Sequence, residues 1–253
     1  MKNFLLILIS LTSYFVSNAQ DAISLKLNPV IGVPLNYNLA IKTDIDGPAP
    51  AIINLNMKLE ITPTKKEDHI FTINNLTKSI QADVDAGLIT MFYDSEEGTE
   101  DELSRTLGDQ FSKIINKNVT LQVNELGQFI NITMPDEFNE EEFDQSSFSN
   151  ITTVLPDHPI NIGSSWNSSY EMDDNPIIGK VTSTSTLQEA NDNSYTIDLI
   201  GTVANKELDE IGDVNGFYVI DKETGLNKNS KITTTIKTKG IVLTSEITMA
   251  LEE

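Results

Sequence analysis

Cysteine is absent from the 253 residues, arginine occurs only at Arg105, tryptophan only at Trp166, and histidine only at His69 and His158. Without cysteine there are no disulfides, thiolate metal sites or cysteine nucleophiles, and no thiol through which an N-terminal lipid could be attached. One arginine leaves almost none of the bidentate forks that grip carboxylates and phosphates. Two isolated histidines supply neither a His-Glu-x-x-His zinc helix nor a partner for a Gly-x-Ser-x-Gly elbow, and the chain contains neither motif. Long apolar runs are missing too: the longest, Phe4 to Val16, falls short of the roughly 20 residues a membrane-crossing helix needs.

Positive charge is scarce. Lys and Arg total 17 against 38 Asp and Glu, a net charge of −21. Such a surface repels nucleic acid phosphates and anionic headgroups, so neither is an expected partner. It favours solubility.

The first 20 residues carry an address. Lys2, the run Phe4 to Val16 and the small residues Ser17 and Ala19 form a secretion signal with cleavage expected after Ala19. Removal of residues 1–19 leaves 253 − 19 = 234 residues with no stable membrane anchor. The expected location is periplasmic or extracellular, in a Gram-negative bacterium. A chain of that length can bury a core large enough to dispense with disulfides.

What remains is patterned with period two. Leu35, Tyr37, Leu39 and Ile41 alternate with Asn36, Asn38, Ala40 and Lys42; after a turn at Asp46-Gly47-Pro48, Ile53, Leu55, Met57, Leu59 and Ile61 do the same. Alternation of this kind marks half-buried strands, and the two runs predict a long antiparallel hairpin. Further strands are predicted at His69 to Ile73, Ser79 to Tyr93 with a bulge at Gly87, Asn118 to Val123 and Gln128 to Thr133 around Asn124-Glu125-Leu126-Gly127. Later ones are Lys180 to Gln188, Ser194 to Val203, Val214 to Asp221, Ser230 to Lys239 and Ile241 to Leu251, the last two joined by a tight turn at Lys239-Gly240.

One segment breaks that period. From Glu100, the residues Leu103, Leu107, Phe111, Ile114 and Ile115 recur at helical spacing, with Thr99 and Glu102 as a capping box. The fold class predicted is mainly β: a long antiparallel curved sheet, half-barrel or sandwich of about nine to eleven strands with one inserted amphipathic helix. Residues 20–253 read as a single β-rich domain, with a candidate internal junction in the acidic stretch 134–150.

Chemistry is harder to find. Carboxylates abound, but 38 of them will form close pairs by chance, and a carbohydrate site would want more aromatic platforms than one tryptophan. Asp44-Ile45-Asp46-Gly47, Asp173-Asp174-Asn175 and Asn191-Asp192-Asn193 offer oxygen ligands without the spacing of an EF-hand, and they read as turn formers. Gly212-Asp213-Val214-Asn215-Gly216 lacks the lysine and helix of a phosphate loop and reads as a loop leading into a strand. No catalytic residue, cofactor or metal site is expected.

Several runs together carry a resemblance. Leu25-Lys26-Leu27 ahead of Gly32 and Tyr37, the Asn124 to Gly127 turn, the stretch from Leu155-Pro156-Asp157-His158-Pro159 to Gly163-Ser164-Ser165-Trp166, and Asp221 to Leu226 resemble a family of uncharacterised exported proteins of Bacteroidota, many of them predicted lipoproteins, with a domain of unknown function. The resemblance spans nearly the whole mature chain and implies a mostly β exported protein with no assigned activity. Ser164 stands where the family pattern has aspartate. By analogy of form, curved sheets with a helix over one face are similar to bacterial carriers of lipids or lipoproteins.

The expectation is a non-enzymatic exported protein that binds an apolar or amphipathic molecule, or an envelope protein, on the concave face of its sheet. Trp166, Leu103, Leu107 and Phe111 are the candidate ligand-face or packing residues. A concave face filled by its own side chains, with no groove of about 300 Å³ or more, would exclude the small-ligand form. A structural or adhesive envelope module is the second expectation and a hydrolase the third.

Overall fold

The computed structural model describes residues 22–98, 102–135, 154–172 and 175–252. Alternating sequence becomes alternating burial along twelve strands: β1 (Leu35–Asp46), β2 (Ala51–Glu67), β3 (Ile70–Asp85), β4 (Thr90–Asp94), β5 (Asn118–Asn124), β6 (Phe129–Thr133), β7 (Ser165–Glu171), β8 (Lys180–Ala190), β9 (Ser194–Ala204), β10 (Glu210–Asp221), β11 (Asn227–Thr238) and β12 (Ile241–Leu251). The single helix among the described residues is α1 (Glu102–Phe111).

All twelve strands join one antiparallel sheet in the order β6-β5-β3-β2-β1-β12-β11-β10-β9-β8-β7, with β4 beside β3. Two meanders therefore meet where the first strand pairs with the last, Tyr37 opposite Leu251 and Leu39 opposite Met249. The sheet is open, with β6 and β7 at its two ends. The β1–β2 hairpin has the register its alternation predicts, Tyr37 opposite Leu59 and Leu39 opposite Met57.

One face of this sheet is concave. Its main apolar cluster unites Val123 of β5, Phe71 of β3 and Leu59 of β2 with Trp166 of β7, Leu187 of β8 and Ile197 of β9. Strands from opposite ends can share a cluster only if the sheet curls around it. Two non-strand segments fill the space between them. Residues 22–28 contribute buried Leu25 and Leu27, and residues 154–160 contribute Leu155 and Ile160. The segments pair with each other at Ile23 and Ile160, and each is tied to the turn after β5: Leu27 donates to Glu125 O at 2.8 Å and Leu155 to Leu126 O at 2.8 Å. Asn28 donates to Thr224 O, so the first segment also reaches the turn after β10.

The structure departs from sequence expectation at several points. Twelve strands replace nine to eleven. β3 is one continuous strand, because its inner face carries polar Asn75 and Thr77 and a register shift around Lys78 reverses the phase. Gly87, at φ +75°, sits in the turn from β3 to β4, with its N–H donating to Asp85 Oδ1, and is not a bulge. Gly212 to Gly216 lies within β10, not in a loop before it. Asp44 to Asp46 ends β1 and only Gly47 enters the turn. β7 went unread because, of its seven residues, only Trp166 and Tyr170 are large and apolar. By contrast Lys239 and Gly240, at φ +48° and +78°, make the tight turn expected between β11 and β12. The proposed capping residue Thr99 and residues 136–150 of the candidate junction lie outside the described residues.

Candidate functional site

Helix α1 covers one corner of the concave face. Leu107 and Phe111 pack with Ile114 and Ile115 against Ile80, Ala82 and Tyr93, the Phe111 ring lying 5.6 Å from that of Tyr93. Gly108 lets the helix approach, since a Cβ there would lie 3.0 Å from the Tyr93 ring. The fully buried Ser104 accepts a hydrogen bond from Phe92 N at 3.0 Å, fixing the helix to β4. Leu103 is 54 % exposed and stands apart from this stripe. Leu107 and Phe111 thus fill a corner distinct from the main cluster.

Trp166 lies at the other end of the sheet. It is 7 % exposed within the main cluster, and its indole N–H donates to Val154 O at 2.8 Å. The approach to it is built as the prolines and glycine suggest: Gly163, at φ +88°, donates to Leu187 O, and Ser164 O accepts from Leu187 N. Ser164 Oγ accepts from Asn161 N at 3.1 Å. An aspartate at 164 could take that same bond, so the position has a turn-closing task.

Between these two corners the concave face is not filled. A cavity of 250 Å³ opens among β1, β2 and β7–β12, with apolar walls from Leu39, Ile41, Val203, Val214, Ile247 and Met249. Its polar groups are Ser168, Ser183, Ser185, Ser230, Thr234, Tyr170, Tyr218 and Asn227, and no charged side chain lines it. The volume is below about 300 Å³, but the face is not filled by its own side chains, so only one half of the condition that excludes a small ligand is met. What fits is smaller, about eight water-sized units, the bulk of one slim chain. Larger depressions lie elsewhere, but they are shallow and mixed in polarity. One of 420 Å³ is lined on the outer face by Asn38, Asn56, Lys58, Gln81, Asp94 and Glu96, and one of 380 Å³ lies beside Lys180 and Lys206.

The phenols of the cavity are held neutral. Burial pushes the Tyr218 hydroxyl well above its ordinary pKa, with the nearby Tyr170 adding to the effect. Burial also raises Tyr170, against an opposing hydrogen bond with Ser168. Sequence reading missed Ser168, Ser183 and Ser185. In Val181-Thr182-Ser183-Thr184-Ser185-Thr186 both faces of the strand are polar, so alternation gave no contrast.

The other sequence candidates sit at the surface. His69 Nδ1 lies 3.1 Å from Glu125 Oε1, and His158 Nδ1 lies 2.7 Å from Asp157 Oδ1, both rings being largely exposed. Asn191 Oδ1 accepts from Asn193 N and Ser194 N, the bonds of a turn former. Asn175 Oδ1 accepts from Ile177 N and Ile178 N likewise.

Fold and cavity together define a mainly β protein: one large open antiparallel sheet curled around a partly filled apolar interior. Residues 130–241, from within β6 to the first residue of β12, match a family of unknown function (DUF6263). That span includes Leu155 to Trp166 and Asp221 to Leu226; Leu25 to Leu27, Tyr37 and Asn124 to Gly127 lie outside it, so the match is narrower than the nearly complete one expected. No curated protein matches the chain. Among solved structures the fold is similar to one of lipovitellin that describes lipid–protein interactions, with a TM-score of 0.56 and 11 % identity over 88 % of this chain. The matched region is 25 % of the lipovitellin chain, and at that identity the likeness is one of fold.

Proposed function

We propose that this chain acts outside the cytoplasm as a non-enzymatic binding protein that shelters one slender apolar or amphipathic molecule in the concave cavity. The observation that carries this reading is the 250 Å³ space with Leu39, Val203, Val214, Ile247 and Met249 on its walls, left open in a sheet whose remaining concave face is packed. Apolar walls of this kind are favourable to hydrocarbon because burying it removes area from water at about 25 cal/mol per Å². The fold likeness to a structure concerned with lipid–protein interactions supports the reading without assigning the ligand. The secretion signal at Met1 to Gln20 supports the location.

Native mass spectrometry of the protein purified from its own host tests the proposal, together with the thermal shift produced by added 1-octanol. A small co-purified adduct, or an octanol-dependent rise in melting temperature that Val214→Phe abolishes in a folded variant, is the expected result. Absence of both, with the protein instead recovered in complex with envelope proteins, would replace ligand binding by a structural role.

A further inference from the structure

The polar groups of the cavity specify more than a slender shape. Ser168 Oγ and Ser183 Oγ satisfy each other at 2.8 Å. Asn227 is half satisfied: one end of its carboxamide bonds Ser230 Oγ at 2.8 Å, and the other, buried from solvent, has no partner. Tyr218 and Ser185 line the same space, and their hydroxyls have no hydrogen-bond partner among the described residues. The cavity therefore holds unmet donors and acceptors on β8, β10 and β11, beside the apolar side chains of Leu39 on β1 and Ile247 and Met249 on β12.

Every one of these groups is uncharged, and no lysine, arginine, histidine, aspartate or glutamate lines the cavity. A carboxylate or ammonium brought into such a space loses its hydration and finds no counter-ion, which costs far more than hydrogen bonds to neutral groups return. An anion also enters against the field of a chain whose net charge is −21. Hydroxyl, ester and amide heads meet neither obstacle, and they can both donate to and accept from tyrosine, serine and carboxamide.

We infer that the ligand is a neutral amphiphile, with a single short hydrocarbon chain against Leu39, Ile247 and Met249 and an uncharged oxygen- or amide-bearing head among Tyr218, Ser185 and Asn227. The inference deepens the proposed binding function and rests on it. The Tyr218 phenol is neutral through the physiological range, and burial moves its titration further above it.

The test is a matched series of eight-carbon probes titrated into the full mature chain at pH 7, read by NMR of methionine methyl groups, with Met172 and Met249 as cavity reporters. The probes are 1-octanol, methyl octanoate, octanoate, octylammonium and n-octane. The alcohol and ester should bind at least tenfold more tightly than either ion and severalfold more tightly than the alkane. Tyr218→Phe should erase part of the advantage over the alkane while leaving alkane binding in place. Octanoate or octylammonium binding within tenfold of the alcohol would overturn the neutral-head inference and leave the binding function standing. Octane binding as tightly as octanol would overturn it as well. Failure of all five probes would overturn both.

Discussion

Glu125 shows how one side chain can gather several parts of the chain. Its carboxylate lies 2.8 Å from Lys66 Nζ, 3.1 Å from His69 Nδ1 and 3.6 Å from Lys26 Nζ, joining β2, the β2–β3 turn and the first inner segment. Hydrogen bonds from Lys66 and His69 lower its pKa to about 2, against the opposing effect of burial. A depressed carboxyl pKa contributes stability above the unfolded value of about 4.3 and loses it as pH falls toward 2. Glu125→Gln should therefore cost about 1–2 kcal/mol near neutral pH, solvent screening of the partly exposed Lys66 keeping it below the full value of the shift. Urea unfolding of both proteins across pH 7 to 2.5 checks this. The gap should close on acidification, and a gap independent of pH would refute the linkage.

At the scale of elements, curvature is written in glycine. A Cβ on Gly212 would stand 2.0 Å from Thr235 O, one on Gly216 2.1 Å from Lys231 O and one on Gly201 2.3 Å from Thr182 O. None of these is at positive φ, so the requirement is close approach of the neighbouring strand rather than a left-handed backbone. All three lie on β9 or β10, in the half of the sheet that bends around the cavity. Gly212→Ala and Gly216→Ala should each destabilise the protein by about 2–3 kcal/mol by forcing those strands apart. An unchanged urea midpoint would show that the bend does not depend on them. The same elements show what sequence can and cannot reveal. β1, β2, β9 and β12 were legible because alternation of large apolar and polar residues has a single burial solution, whereas β10 was legible only from Val214 onward. β7 and the middle of β3 were not, because Ser168, Asn75 and Thr77 occupy inward positions whose burial depends on tertiary partners. The helix was legible from Leu107 and Phe111, whereas exposed Leu103 shows that period alone overstates the width of a packed face. The cavity could not be read at all, since its serines and tyrosines become one site only when β7, β8 and β10 curl together.

Across the whole molecule, the inner segment 22–28 decides whether two meanders behave as one body. Among the described residues, β1 pairing with β12 is the only ladder of strands connecting them. Leu25 and Leu27, 2 % and 4 % exposed, add a second connection by packing inside the curl, where Leu27 N donates to Glu125 O and the adjacent Asn28 N to Thr224 O, in turns of the two halves. Gly225, where a Cβ would be 2.3 Å from Lys26 O, shows how closely the far turn presses on that segment. A shared core of this kind makes unfolding cooperative, because neither half keeps its buried surface when the other opens. Leu27→Ala should cost about 2–5 kcal/mol, the usual range for a buried leucine whose site cannot collapse. The sole tryptophan, Trp166 on β7, reports the second half by fluorescence, while hydrogen exchange of the amides of β5 reports the first. Both signals should move to lower urea together in Leu27→Ala. If β5 loosens while Trp166 keeps its midpoint, the halves are independent and the inner segment belongs to the first alone.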